Sequence, residues 1–118
     1  MTRYKKNIGD WGEGIAVSFL RRRGFEVIEQ NYHTTQGEID IVARQGGDYY
    51  FVEVKTRRDA ALATDLAISR EKTRRLQHAV RHYCFHRDIG GVGIILAGVI
   101  ILVDKKSKSV KIRFAVMR

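Results

Sequence analysis

Proline is absent from the 118 residues and cysteine occurs once, at Cys84. With no proline, no Ser-rich or Gly-rich tract and no internal repeat, nothing in the chain reads as a linker, so residues 1–118 are taken as one domain. A single thiol makes neither an internal disulfide nor a thiolate zinc cluster. The chain therefore needs no oxidising compartment, and a cytoplasmic location is expected. Long apolar runs are missing too. The basic start, residues 1–6, leads into no apolar signal core. The most apolar stretch, from Val92 to Val103, falls well short of the roughly 20 residues that cross a bilayer and reads as a buried strand or strand pair. Negative charge is scarce: 13 Asp plus Glu stand against 22 Lys plus Arg, a net charge of +9. Such a surplus on a small domain points to a polyanionic partner, most simply nucleic acid. An anionic membrane surface is the competitor, and an ordinary basic surface is the plain alternative. At 44% hydrophobic residues the chain still has enough to build a core.

The remaining signals are periodic. Over residues 9–23, Trp11, Ile15, Ala16, Phe19 and Leu20 share one arc at 100° per residue, which predicts an amphipathic helix with Asp10 as N-cap and Gly24 as a left-handed stop. Trp11 is counted with the core, in preference to a base-stacking role. Residues 25–32 read as a short strand and 38–43 as a cleaner one. After a turn signal at 45–48, residues 49–56 form the strongest β-run. A second helix is predicted over about residues 65–87, with Leu76, Ala79, Val80 and Tyr83 inward and Lys72, Arg74, Arg75, Arg81 and Arg87 outward. Strands over 93–103, bent at Gly98, and over 110–117 follow, joined by a polar turn. The order α-β-β-β-α-β-β predicts an α/β fold, a mixed central sheet flanked by helices.

The hairpin around Gly46-Gly47 concentrates the chemistry. A two-residue or four-residue loop gives one register, in which Asp40 lies opposite Glu53 and Glu38 opposite Lys55. These four project from one face, while Ile39, Ile41, Val52 and Val54 cover the other. Two carboxylates directly opposed repel each other and weaken the pair. A divalent cation between them turns that liability into a site, and Mg2+, with Mn2+ as substitute, is the hard cation such oxygens suit. Lys55 would orient or deprotonate a water, or neutralise charge in a transition state. The competing reading is a solvated strand pair with alternating charges, but the setting Phe51-Val52-Glu53-Val54 is too apolar for that. Glu13, at the border of the first helix's apolar arc, adds a third carboxylate as a metal or water ligand; alone it would read as a partly buried Glu satisfied by an Arg. His78, His82 and His86 share a helix stripe, but the arginines around them disfavour a metal, and a solvated face explains them better. Cys84 is read as inert packing.

These residues carry a resemblance. Gly12-Glu13-x-x-Ala16, Phe19-Leu20-x-x-x-Gly24-Phe25, Asn31-Tyr32, Gly37-Glu38-Ile39-Asp40-Ile41-Val42-Ala43, Phe51-Val52-Glu53-Val54-Lys55-Thr56-Arg57 and Lys72-x-x-x-Leu76-x-x-Ala79 together resemble the PD-(D/E)XK nuclease superfamily. Within it the chain looks like the bacterial YraN family of endonuclease-like proteins, similar in turn to archaeal Holliday-junction resolvases. The resemblance runs from about Gly9 to Tyr83. It implies a restriction-endonuclease-like α-β-β-β-α-β core, with Asp40, Glu53 and Lys55 as the superfamily's Asp and Glu-x-Lys and Glu13 as its helix-borne carboxylate. The superfamily's Pro is absent, and the last third lacks an expected Arg-Phe-Asp on its first strand.

The expectation is a magnesium-dependent endonuclease acting on nucleic acid, DNA favoured and possibly branched. Asp40, Glu53 and Glu13 would serve the metal and Lys55 the water. Arg57, Arg58, Lys72, Arg74 and Arg75 would contact phosphates. The alternative is a non-catalytic nucleic-acid-binding protein on the same fold; a basic membrane-surface or ribosome-associated protein ranks lower, having no use for the carboxylates. A homodimer through the two C-terminal strands is expected, since two copies would address both strands of a duplex.

Overall fold

The computed structural model of the chain describes residues 3–58 and 69–117. Seven elements follow in order: α1 (Arg3–Arg22), β1 (Glu26–His33), β2 (Glu38–Gln45), β3 (Asp48–Arg58), α2 (Arg70–His86), β4 (Ile94–Asp104) and β5 (Ser109–Val116). The strands form one five-stranded sheet in chain order, β1-β2-β3-β4-β5, with β3 and β4 parallel and the other neighbours antiparallel. This is the predicted mixed α/β architecture, compatible with an α-β-β-β-α-β core. The two helices lie on opposite faces of the sheet. Ala16, Val17, Phe19 and Leu20 of α1 pack on Ile41, Ala43, Val52, Val99 and Ile101, and Leu76, Ala79, Val80 and Tyr83 of α2 pack on Ile39, Val42 and Phe51. β2 is covered on both sides, so Ile41, Val42 and Ala43 are buried in succession.

Several expectations change in detail. α1 begins at Arg3, so Asp10 lies inside the helix and is not its cap. The helix ends as read, at Gly24: the N–H of Phe25 donates to the Leu20 carbonyl and that of Gly24 to the Arg21 carbonyl, a Schellman closure. Trp11 is 44% exposed, not core. The buried positions Gly12, Ala16, Phe19 and Leu20 centre the packed face, and at 100° per residue Trp11 falls on its far shoulder. α2 begins only after Ser69, whose extended backbone (φ −61°, ψ 156°) cannot belong to a helix and whose hydroxyl accepts from the Lys72 N–H. The remainder of the predicted start, residues 65–68, lies outside the described residues. Gly98 sits in unbroken register between Glu53 and Ala115, so the ladder has no irregularity at the expected bend. Cys84 packs against the α2-side core, with burial pushing its thiol up, in keeping with an inert role. Among the described residues no helix is long and apolar enough to cross a membrane.

Candidate functional site

The β2–β3 hairpin has the expected register. Gly46 and Gly47 both take positive φ, +59° and +86°, the type I′ geometry that matches strand twist, and pairing runs from Gln45–Asp48 to Ile41–Val52. There the backbone pairing ends. One step on, the Val54 N–H donates to Asp40 Oδ2 at 2.8 Å, so a carboxylate takes the place of a backbone acceptor where the strands part. Asp40 and Glu53 meet as predicted, through a hydrogen bond between their side chains. The β2–β3 ladder stops short of Glu38 and Lys55; across β1–β2 Glu38 faces His33 and makes a 3.1 Å contact with its Nδ1.

The expected alternation on β2 also breaks. Ile41, Val52 and Val54 pack toward α1, but Ile39 belongs to the α2-side cluster. The cause lies on β1, where Asn31 takes φ 55° between the pairs Gln30–Ile41 and Tyr32–Ile39. A left-handed residue, tolerable for Asn, twists the ribbon there and turns Ile39 to the other face.

Burial, and then the adjacent Asp40 charge, pushes the Glu53 carboxyl from 4.5 to about 8. Asp40 is raised as well, by burial first, against the Val54 N–H that stabilises its charge. Glu13 lies on the flank of α1, whose Gly12 abuts Thr56 of β3 so closely that a side chain would collide. Its carboxyl is raised by burial and by Asp40, and is opposed by a hydrogen bond from Asn31. Among the described residues no three His, Cys, Asp or Glu side chains gather tightly enough to cage an ion. Asp40 and Glu53 form a pair, and Glu13 is coupled to that pair through the Asp40 charge.

Lys55 is the buried charged side chain of the described core, 8% exposed. The cation whose charge lowers both Asp40 and Glu53 is Lys72, on the first turn of α2. A cavity of about 90 Å³ lies between them, lined by Glu38, Glu53, Lys72, Arg75 and Leu76. Gly37 sets this spacing, since a Cβ there would strike the Arg75 carbonyl and push α2 away from β2. Of the five predicted phosphate contacts, Lys72 and Arg75 thus stand at the carboxylates. Arg74 and Arg58 are exposed elsewhere, and Arg57 is half-buried with its guanidinium donating to the Thr56 carbonyl at 3.2 Å. Sequence reasoning missed the placing of Lys72 beside Glu53 and the part played by Asn31. A left-handed Asn leaves no periodic trace, and Lys72 was indistinguishable from its basic neighbours. The histidine stripe holds no metal cluster among the described residues: His82 is hydrogen-bonded through Nδ1 to the Tyr32 hydroxyl and stacks near His86.

The donor set suits a hard divalent cation. Two oxygen-bearing side chains share a hydrogen bond, both are hard to ionise side by side, and the neighbouring cavity is large enough for water.

The family model described as "Uncharacterised protein family UPF0102" matches residues 12–117. The chain is 49% identical over 76 residues to a UPF0102 protein of Roseiflexus castenholzii, covering 63% of this chain and 61% of that one. It is 42% identical over 85 residues to a UPF0102 protein of Dictyoglomus turgidum, covering 71% and 72%. A third, from Dictyoglomus thermophilum, is 34% identical over 113 residues, covering 95% of this chain and 80% of that one.

Proposed function

The chain belongs to the uncharacterised protein family UPF0102, and for this member we propose a metal-dependent nuclease of the PD-(D/E)XK kind that hydrolyses phosphodiester bonds in nucleic acid, DNA favoured. The observation that carries the reading is the hydrogen-bonded pair Asp40–Glu53 where β2 and β3 part, with the Val54 N–H fixing Asp40. A half-buried carboxyl pair resists ionising both its members, at a cost to the fold, and it has an evident use when a cation joins it. Asp40 and Glu53 would hold Mg2+ or Mn2+, with Glu13 contributing through water. The ion, when bound, supplies Lewis-acid activation of water and of a phosphate oxygen. Lys55, held rigidly by its burial, would fix the attacking water in line with the phosphorus. Lys72 and Arg75, across the cavity, would neutralise the phosphate. The net charge of +9 and the exposed Arg58 and Arg74 add backbone affinity without base readout. The single thiol fits a reducing, cytoplasmic setting.

The test is incubation with linear duplex, single-stranded and branched DNA, with and without Mg2+ or Mn2+, beside Asp40→Asn and Glu53→Gln. Metal-dependent strand cleavage by the wild type, absent in both variants, is expected. Binding with no cleavage under any metal would replace this reading by that of a non-catalytic nucleic-acid-binding protein.

A further inference from the structure

The register of β3, β4 and β5 orders one face of the sheet into rows. Phe51, Leu96 and Met117 belong together to the α2-side core, while Val54, Val99 and Phe114 belong together to the α1-side core. Alternation along the unbroken ladders then fixes every row between them. On the α2 side the next row is Glu53–Gly98–Ala115, followed by Lys55–Ile100–Arg113, and then Arg57–Leu102–Lys111. The carboxylate of Glu53 is thus followed by two rows that each carry a cation on β3 and another on β5. On β5 the opposite side chains, Ile112 and Phe114, are claimed by the α1 core, so Lys111 and Arg113 face the α2 side, and both are exposed. They stand two strands across from Lys55 and Arg57, roughly 10 Å, and about 7 Å apart along the strand.

We propose that Arg113 and Lys111 of β5 form a second bank of phosphate contacts, so that a nucleic-acid backbone runs from the cavity at Lys72, past Glu53, and over the sheet to the β5 edge. Charge complementarity selects the occupant. This flank carries four cations in two rows, one of them, Lys111, near enough to the Asp104 carboxylate of the next row to lower it, which leaves an excess of positive charge beside a site where a phosphodiester would be held. The last third of the chain, expected to supply a dimer surface, then contributes substrate affinity as well. The inference rests on the nucleic-acid half of the function proposed above, and not on catalysis.

Affinity of the full chain for a labelled duplex DNA is measured in EDTA over a salt series, so cleavage plays no part. Lys111→Gln/Arg113→Gln should weaken binding about tenfold and reduce the slope of log K against log salt by about 2. Lys105→Gln/Lys106→Gln, the same charge change in the turn between β4 and β5, should leave both unchanged. Lys111→Arg/Arg113→Lys should keep the wild-type slope, separating charge from any damage to the strand. Equal losses in the two Gln pairs, no loss in either, or wild-type binding to anionic vesicles but not to DNA would each overturn the proposal. Absent cleavage with Mg2+ but a reduced slope for Lys111→Gln/Arg113→Gln would sink the nuclease reading and leave this one standing.

Discussion

Replacing Glu53 by Gln keeps the shape and the hydrogen bond to Asp40 while removing the charge that burial opposes. In the wild type the folded carboxyl holds its proton up to about pH 8, whereas in the unfolded chain it is lost near 4.5. Between those values the folded state carries the extra proton, so stability falls as pH rises; it is undiminished below 4.5 and the loss is complete above 8. At about 1.4 kcal/mol per pH unit the ceiling is about 5 kcal/mol. Water reaching this half-buried group trims that to an expected loss of roughly 2–4 kcal/mol, large against the roughly 5–15 kcal/mol of a whole domain. Urea unfolding in EDTA from pH 5 to 9 reads it directly. Wild type and Glu53→Gln should coincide near pH 5 and diverge toward pH 9, with Gln the more stable. Saturating Mg2+ should recover the wild type at high pH, through binding to the ionised pair, and leave Glu53→Gln unmoved. Parallel curves for the two proteins over the whole range would refute the buried-pair account.

Three further outcomes follow from the same geometry. Lys55→Ala should leave DNA affinity within about twofold while lowering kcat at least about a hundredfold; a loss of affinity equal to the loss of rate would make it an ordinary phosphate contact. Gly37→Ala should cost about 2–3 kcal/mol in urea unfolding, because the new Cβ meets the Arg75 carbonyl; a change below about 0.5 kcal/mol would show that α2 is not anchored there. Light scattering with equimolar duplex DNA should give a dimer mass through the edge of β5, where Val110 and Val116 are exposed, and a monomer mass in its presence would exclude the pairing.

The architecture was legible because each element announces itself locally. The Gly46-Gly47 turn fixes a register, and register fixes that Asp40 meets Glu53. Alternation then carries Val54 to one face and Glu53 to the other. What could not be read depends on contacts between distant segments. The left-handed twist at Asn31 sends Ile39 to the wrong face for simple alternation. Strand parting ends the ladder at Ile41–Val52, short of Glu38 and Lys55. The approach of α2 to Gly37 lifts Lys72 out of a uniform basic stripe and sets it at the carboxylates. Periodicity located the α2 face, but Ser69, which starts that helix, sits inside a segment whose pattern continues through it. β4 is enclosed by β3 and β5, so only β5 of the expected dimer surface offers an open edge among the described strands.

The bond from Val54 to Asp40 gives one of the two central carboxylates a duty in folding. A related chain without the proposed nuclease activity would still need an acceptor at position 40 to satisfy that N–H, and would have every thermodynamic reason to discard the charge at position 53. Among related chains, an intact Asp at the first position therefore reports on how the sheet closes. On the proposed function, the acid at the second position would mark the chemistry, and would be the place where its loss is first written.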